Sequence, residues 1–167
     1  AVIKDGEKII FRDVKDENSG QIYNLTVAQY IAYDLGSDNL SFSNELYAKI
    51  LQEAVEQCNN EGFKAEEYFT QHADIDISSV AVRLSVDRFQ LAESLQVKET
   101  EQTLRDRVLH LVADFRLEYL SSYLKELEAR LSQEKDSEKM KEIMGEIMRK
   151  RNLRNELAKK TGTNILV

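Results

Sequence analysis

One uninterrupted helical pattern, from about Thr100 to Leu131, constrains the fold more than any other feature of this chain. At 1.5 Å per residue it makes a rod of about 45 Å. Its two halves show different apolar faces. Leu104, Val108, Leu111, Val112, Phe115 and Tyr119 cluster in the first half, and Leu117, Leu120, Leu124, Leu127 and Leu131 in the second. At 100° per residue the second cluster is rotated from the first by roughly 150°. One helix therefore has two packing partners. The first face closes a bundle built by the residues before it, while the leucine face, spaced three and four apart, calls for a single antiparallel helix.

That helix follows directly in the chain. Ser132 to Asp136 is a short polar turn, Asp136 or Ser137 can cap, and Met140 to Lys160 carries Ile143, Ile147, Leu153 and Leu157 within an arc of about 120°. The expected fold is all-α: a helical bundle subdomain over residues 1–116, a C-terminal helical hairpin subdomain over residues 117–167, and a long connecting helix, about 100–131, shared by both. Zero prolines and six glycines favour that class, because the usual helix breakers are missing. With 167 residues and 42% apolar content, the chain can bury one core, or a core plus an appendage. A hairpin two helices thick has little interior of its own, so it is expected to be held at the bundle or completed by a partner.

Elsewhere the signals are more local. Ala1-Val2-Ile3 reads as the end of an apolar helix, so the natural protein is expected to continue upstream. Lys8-Ile9-Ile10-Phe11 is a short apolar end, and Arg12 to Gln21 shows no period and is expected to be a loop. Thr26-Val27-Ala28-Gln29 has the capping-box form, which predicts a helix to Leu35 with Gly36 as its left-handed stop. From Ser43, the residues Leu46, Ile50, Leu51, Ala54, Val55 and Cys58 make one stripe, which places Cys58 in the core. Short helices are predicted at Ala65–Gln71, Ile77–Leu84 and Asp87–Leu95. Val80, Val82, Leu84 and Val86 alternate as a strand would, but no second strand is evident to pair with them.

Groups that carry catalysis are sparse. Cys58 with His72 or His110 has the chemistry of a nucleophile and base, yet an apolar helix stripe is a core environment that suppresses the thiolate. His72, Asp74 and Asp76 have metal-ligand chemistry, but acids just before a helix are more often caps. No Glu-x-x-His pair, phosphate loop or dinucleotide fingerprint is present. We expect no catalytic residue, metal ligand or cofactor site in this chain. A formal charge of −7 disfavours a general nucleic-acid surface. No apolar run approaches the roughly 20 residues that span a bilayer, and with a single cysteine a soluble, cytoplasmic protein is expected.

Three features suit a protein partner. Met140, Met144 and Met148 recur every fourth residue as a soft ridge that fits either a core or a partner groove. Arg149, Lys150, Arg151, Arg154, Lys159 and Lys160 form a basic cluster against the acidic average. The tail ends in Ile165-Leu166-Val167, which has to pack on something.

The run from Tyr68-Phe69-Thr70-Gln71-His72-Ala73-Asp74-Ile75-Asp76-Ile77-Ser78 to Leu84, the long helix after Thr100, the charged hairpin, and the ending Asn155-Glu156-Leu157-Ala158-Lys159-Lys160-Thr161-Gly162 together resemble the C-terminal domain of bacterial DnaG-type primases, in the form found in Bacteroides-like bacteria. The likeness covers nearly the whole chain. It implies a helical bundle followed by a hairpin that docks on the N-terminal domains of the hexameric replicative helicase of DnaB type, recruiting primase to the replication fork. It also implies that zinc-binding and magnesium-dependent catalytic domains lie upstream, so the chain itself is non-catalytic. Carried over by position, the partner-binding residues are Met144, Met148, Arg151, Arg154, Leu157, Lys160, Ile165 and Leu166. Little direct nucleic-acid binding and no membrane contact are expected, and weak self-association through the hairpin is compatible with this reading. The competing readings are the N-terminal domain of the helicase itself, and a helical module that binds nucleic acid through its basic last helix.

Overall fold

A computed structural model describes residues 1–16, 20–92 and 100–162, with the side chains of residues 86–92 set aside. The chain is mostly helical. In order come α1 (Val2–Asp5), β1 (Ile9–Lys15), β2 (Ile22–Thr26), α2 (Val27–Ser37), α3 (Glu45–Gln57), α4 (Ala65–Thr70), α5 (Ile75–Ala92), α6 (Glu101–Gln133) and α7 (Ser137–Thr161). It divides into two compact units, residues 1–108 and residues 109–167.

The first unit packs α1 to α5 around a core of Ile3, Ala28, Ile50, Ala54, Ala65, Phe69, Ile77 and Ala81. Four of these are alanines with no exposed surface, so the helix backbones approach closely. Gly6 belongs to the same tight region: a Cβ there would collide with the Val2 carbonyl oxygen and sit 3.3 Å from Ala65 Cβ. Thr26 caps α2 through a complete capping box, accepting from the Gln29 N–H while the Gln29 side chain accepts from the Thr26 N–H.

Of the loop expected over Arg12 to Gln21, residues 12–15 are instead the end of β1, which pairs antiparallel with β2, and residues 17–19 lie outside the described residues. Ile9 faces Thr26, Phe11 faces Leu25, Val14 faces Tyr23 and Lys15 faces Ile22. The β-branched and aromatic residues of both segments favour pairing, and Ile10 is fully buried. Two bulges hide the period of 2. Asp13 takes a positive φ of 54°, and its N–H donates to the Asn24 side chain at 3.1 Å.

Two further expectations are corrected in this unit. Gly36 is an ordinary residue of α2, and the left-handed position falls on Asn39 at φ 54°; asparagine tolerates that region almost as glycine does. The separate helices predicted at Ile77–Leu84 and Asp87–Leu95 merge into the single α5, because the Ser85-Val86 junction has no breaker; residues 93–95 lie outside the described residues.

The second unit is the hairpin. Leu124, Leu127, Ile143 and Ile147 form its core, with Tyr123 and Leu131 packed beside them, and Leu117, Leu120 and Ala158 are buried as well. Asp136 caps α7, accepting from the Glu138 and Lys139 N–H groups, and Gly162 ends it at φ 68°. Of the apolar face expected along the first half of α6, Leu104, Val108 and Val112 are buried, but Leu111 and Tyr119 are exposed. Leu153 is also corrected: it is 54% exposed, because the inward line runs 143, 147, 150, 154, 157 in steps of three and four, and Leu153 falls about 80° off it.

Candidate functional site

Of the groups with catalytic potential, His72, Asp74 and Cys58 are committed to structure, and His110 is exposed on α6. The Asp74 N–H donates to His72 Nδ1 at 3.0 Å, so the ring proton sits on Nε2, which faces Glu53 Oε2 at 2.9 Å. Both ring nitrogens are used. Asp74 accepts from the Asp76 N–H at 3.0 Å and pairs with Lys49 at 2.8 Å. It thus closes the start of α5, and the bond from Lys49 holds its carboxyl below the usual range. Cys58 is half-buried at the end of α3, its thiol donating to the Gly6 carbonyl and accepting from the Thr26 hydroxyl, both at 3.3 Å. Burial pushes its pKa up against the opposing effect of Thr26. Among the described residues, no group of three His, Cys, Asp or Glu is placed to hold a metal ion, and no helix is long and apolar enough to cross a membrane.

The hairpin instead offers exposed apolar surface. Met144 is 52% exposed and Met148 66%. They lie one turn apart on the same face, so they form a small contiguous apolar patch. Helix geometry places Met144, Met148 and Arg151 on one flank of α7, with Leu153 and Lys160 on the opposite flank. Arg151 is exposed and donates to Glu128 Oε1 of α6 at 2.6 Å. Across the other edge, Tyr123 donates to Glu146 Oε1 at 2.7 Å and its ring receives Lys150 Nζ at 5.6 Å. The bond to Glu146 and burial both raise the Tyr123 pKa.

Of the partner-binding residues expected from sequence, Met144, Met148 and Arg151 come together on one surface. Leu157 is half-buried beside the seam between α6 and α7. Arg154 lies in that seam, and its Nε is buried without a hydrogen-bond partner among the described residues. Lys160 is exposed on the far flank. Ile165 and Leu166 lie outside the described residues. Missing from the expected set are Tyr119, 41% exposed and stacked on Tyr123 at 6.2 Å, and the exposed Leu153. Their positions in apolar patterns concealed them, since periodicity alone assigned both to cores.

A family model described as Domain of unknown function (DUF8430) matches residues 1–165. No curated protein and no solved structure matches the chain.

Proposed function

The chain belongs to the DUF8430 family, whose description assigns it no activity, and from that premise we propose that it is a non-catalytic docking domain of a DNA primase. Its partner in this reading is the N-terminal region of the hexameric replicative helicase, and docking brings primase to the replication fork. The observation that carries the docking role is the Met144–Met148 ridge, two large apolar side chains exposed on a two-helix hairpin. Flexible thioethers fit grooves of irregular shape, and neighbouring Arg151 supplies a cation that orients the encounter. Helicase as the partner rests on the primase-like sequence, from Tyr68 to Leu84 and at the Asn155 to Gly162 ending.

The roles divide by burial. Met144 and Met148 supply affinity, Arg151 steers, and Leu157 with Arg154 shapes the hairpin that presents them. Titration calorimetry of the chain into the replicative helicase of the same organism tests this. Binding is expected to weaken at least about tenfold in Met148→Glu, with helicity and melting unchanged because the side chain is exposed. Absence of heat with the unmodified chain overturns the helicase assignment. The six cations from Arg149 to Lys160, of which Arg151 is paired with Glu128 and Lys159 with Glu156, support a second reading, binding to single-stranded DNA. Steep loss of DNA affinity with added salt would favour it.

A further inference from the structure

The chain divides its charge unevenly. Residues 1–108 hold 11 Lys and Arg against 20 Asp and Glu, a formal −9, whereas residues 109–167 hold 12 against 10, a formal +2. Each half also displays one apolar feature set in its own charge.

In the first unit, α2, α3 and the connection between them enclose a groove of about 400 Å³. Leu35 is buried at its floor, and Ala32, Leu40, Phe42, Leu51 and Val55 are half-buried along its walls. Among its lining residues Glu56 is the charged one; Asp34, Asp38 and Glu45 stand between lining residues in the chain, whereas Glu53 faces His72 at 2.9 Å and Lys49 is bound to Asp74. This is an apolar slot with an acidic rim.

The hairpin carries the inverse. Leu153 stands 54% exposed, and at 100° per residue Arg149, Leu153 and Lys160 share an arc of about 40° on α7. This is an apolar knob with a cation on either side along the axis, on the flank opposite the methionine ridge; Glu156 shares that flank and is paired with Lys159 at 3.3 Å.

We propose that the groove of one chain receives the Leu153 knob of a second copy, with Arg149 and Lys160 meeting the acidic rim. Neither feature is self-complementary, so the contact is heterologous: groove on one copy, knob on the other. Two such contacts made reciprocally close a dimer, and one alone leads to longer chains. The methionine flank stays free, so self-association and the docking proposed above use different surfaces.

Sedimentation velocity of the full chain, from micromolar to millimolar concentration, is the test. We expect a rise in average mass with concentration that high salt weakens. Leu153→Glu should abolish it, and the paired rim change Asp38→Lys with Glu56→Lys should weaken it at least about tenfold. All three positions are exposed, so circular dichroism should be unchanged. Mixing the rim variant with an Arg149→Glu, Lys160→Glu variant should restore between the two the association that is weakened in each alone. A monomer at every concentration overturns the proposal. So does association that survives Leu153→Glu, or association lost in Met148→Glu instead, which would move the contact to the other flank.

Discussion

Asp5 is the one acidic side chain among the described residues with no exposed surface at all, and it shows how a buried charge is kept. Burial pushes its pKa up, but bonds from Lys8 Nζ at 2.6 Å and Arg107 Nη2 at 2.9 Å outweigh that, and the carboxyl ends below its ordinary value. A folded-state pKa below the unfolded one contributes stability that is present above the unfolded value and lost as pH falls through the folded one. Both partners are partly exposed, so solvent screens the pairing. Arg107→Gln is expected to cost about 2 kcal/mol at neutral pH. Its penalty should shrink as the solution is acidified below the ordinary carboxylate range, measured by urea unfolding at several pH values. A penalty that is constant with pH would show that Arg107 acts through packing alone. Cys58 makes a second prediction at this scale. Its pKa is raised, chiefly by burial, so labelling by iodoacetamide at neutral pH should be at least about tenfold slower in the native chain than in urea.

At the scale of elements, α7 departs from the ideal at two positions. Gly145 sits in the helix interior, where a Cβ would make only an ordinary contact with Arg149 Nη1 at 3.5 Å. Gly145→Ala should stabilise the hairpin by about 1 kcal/mol through helix propensity alone. Arg154 brings a buried Nε with no partner into the seam, and Arg154→Leu should stabilise by a similar amount by extending the line of Ile143 and Ile147. Thermal melts decide both, and a fall in melting temperature for Arg154→Leu would show that its guanidinium is held by more than packing. The same helix shows how legible the fold is. Asp136, Gly162 and the Ile143 and Ile147 stripe announce its ends and inner face, because caps and short-range periodicity are written in consecutive residues. Leu153 was misplaced because the continuation of that stripe falls on Lys150 and Arg154, whose aliphatic stems cover apolar surface while their charged ends do not. The β-hairpin was missed for a different reason: bulges break the alternation, and pairing of Ile9 with Thr26 is a contact between segments, not a pattern within one. For the docking surface, the methionine spacing identified Met144 and Met148, but which flank each cation joins depends on helix phase about the seam.

At the scale of the whole molecule, the two units differ in how much interior they own. The first unit surrounds its core with the five helices α1 to α5 and a β-hairpin, and Ile10, Val27, Ala28, Ala54, Ala65, Phe69, Ile77 and Ala81 lose all their exposed surface. Among the described residues of the hairpin, only Leu127 reaches that state. At about 1.5–3 kcal/mol for each large side chain fully buried, the hairpin has much less to set against the conformational entropy of its long helices. Native-state hydrogen exchange is therefore expected to show amides of α7 opening at lower free energy than those of α3 and α5, as a separate cooperative unit. Binding that covers the Met144–Met148 flank should slow exchange along α7 while leaving α3 and α5 unchanged, because a ligand stabilises the states it selects. Equal protection of α7 and α5 in the free chain would mean that the hairpin is already complete without a partner. The exposed methionines would then be surface chemistry, and the case for docking through that flank would fail.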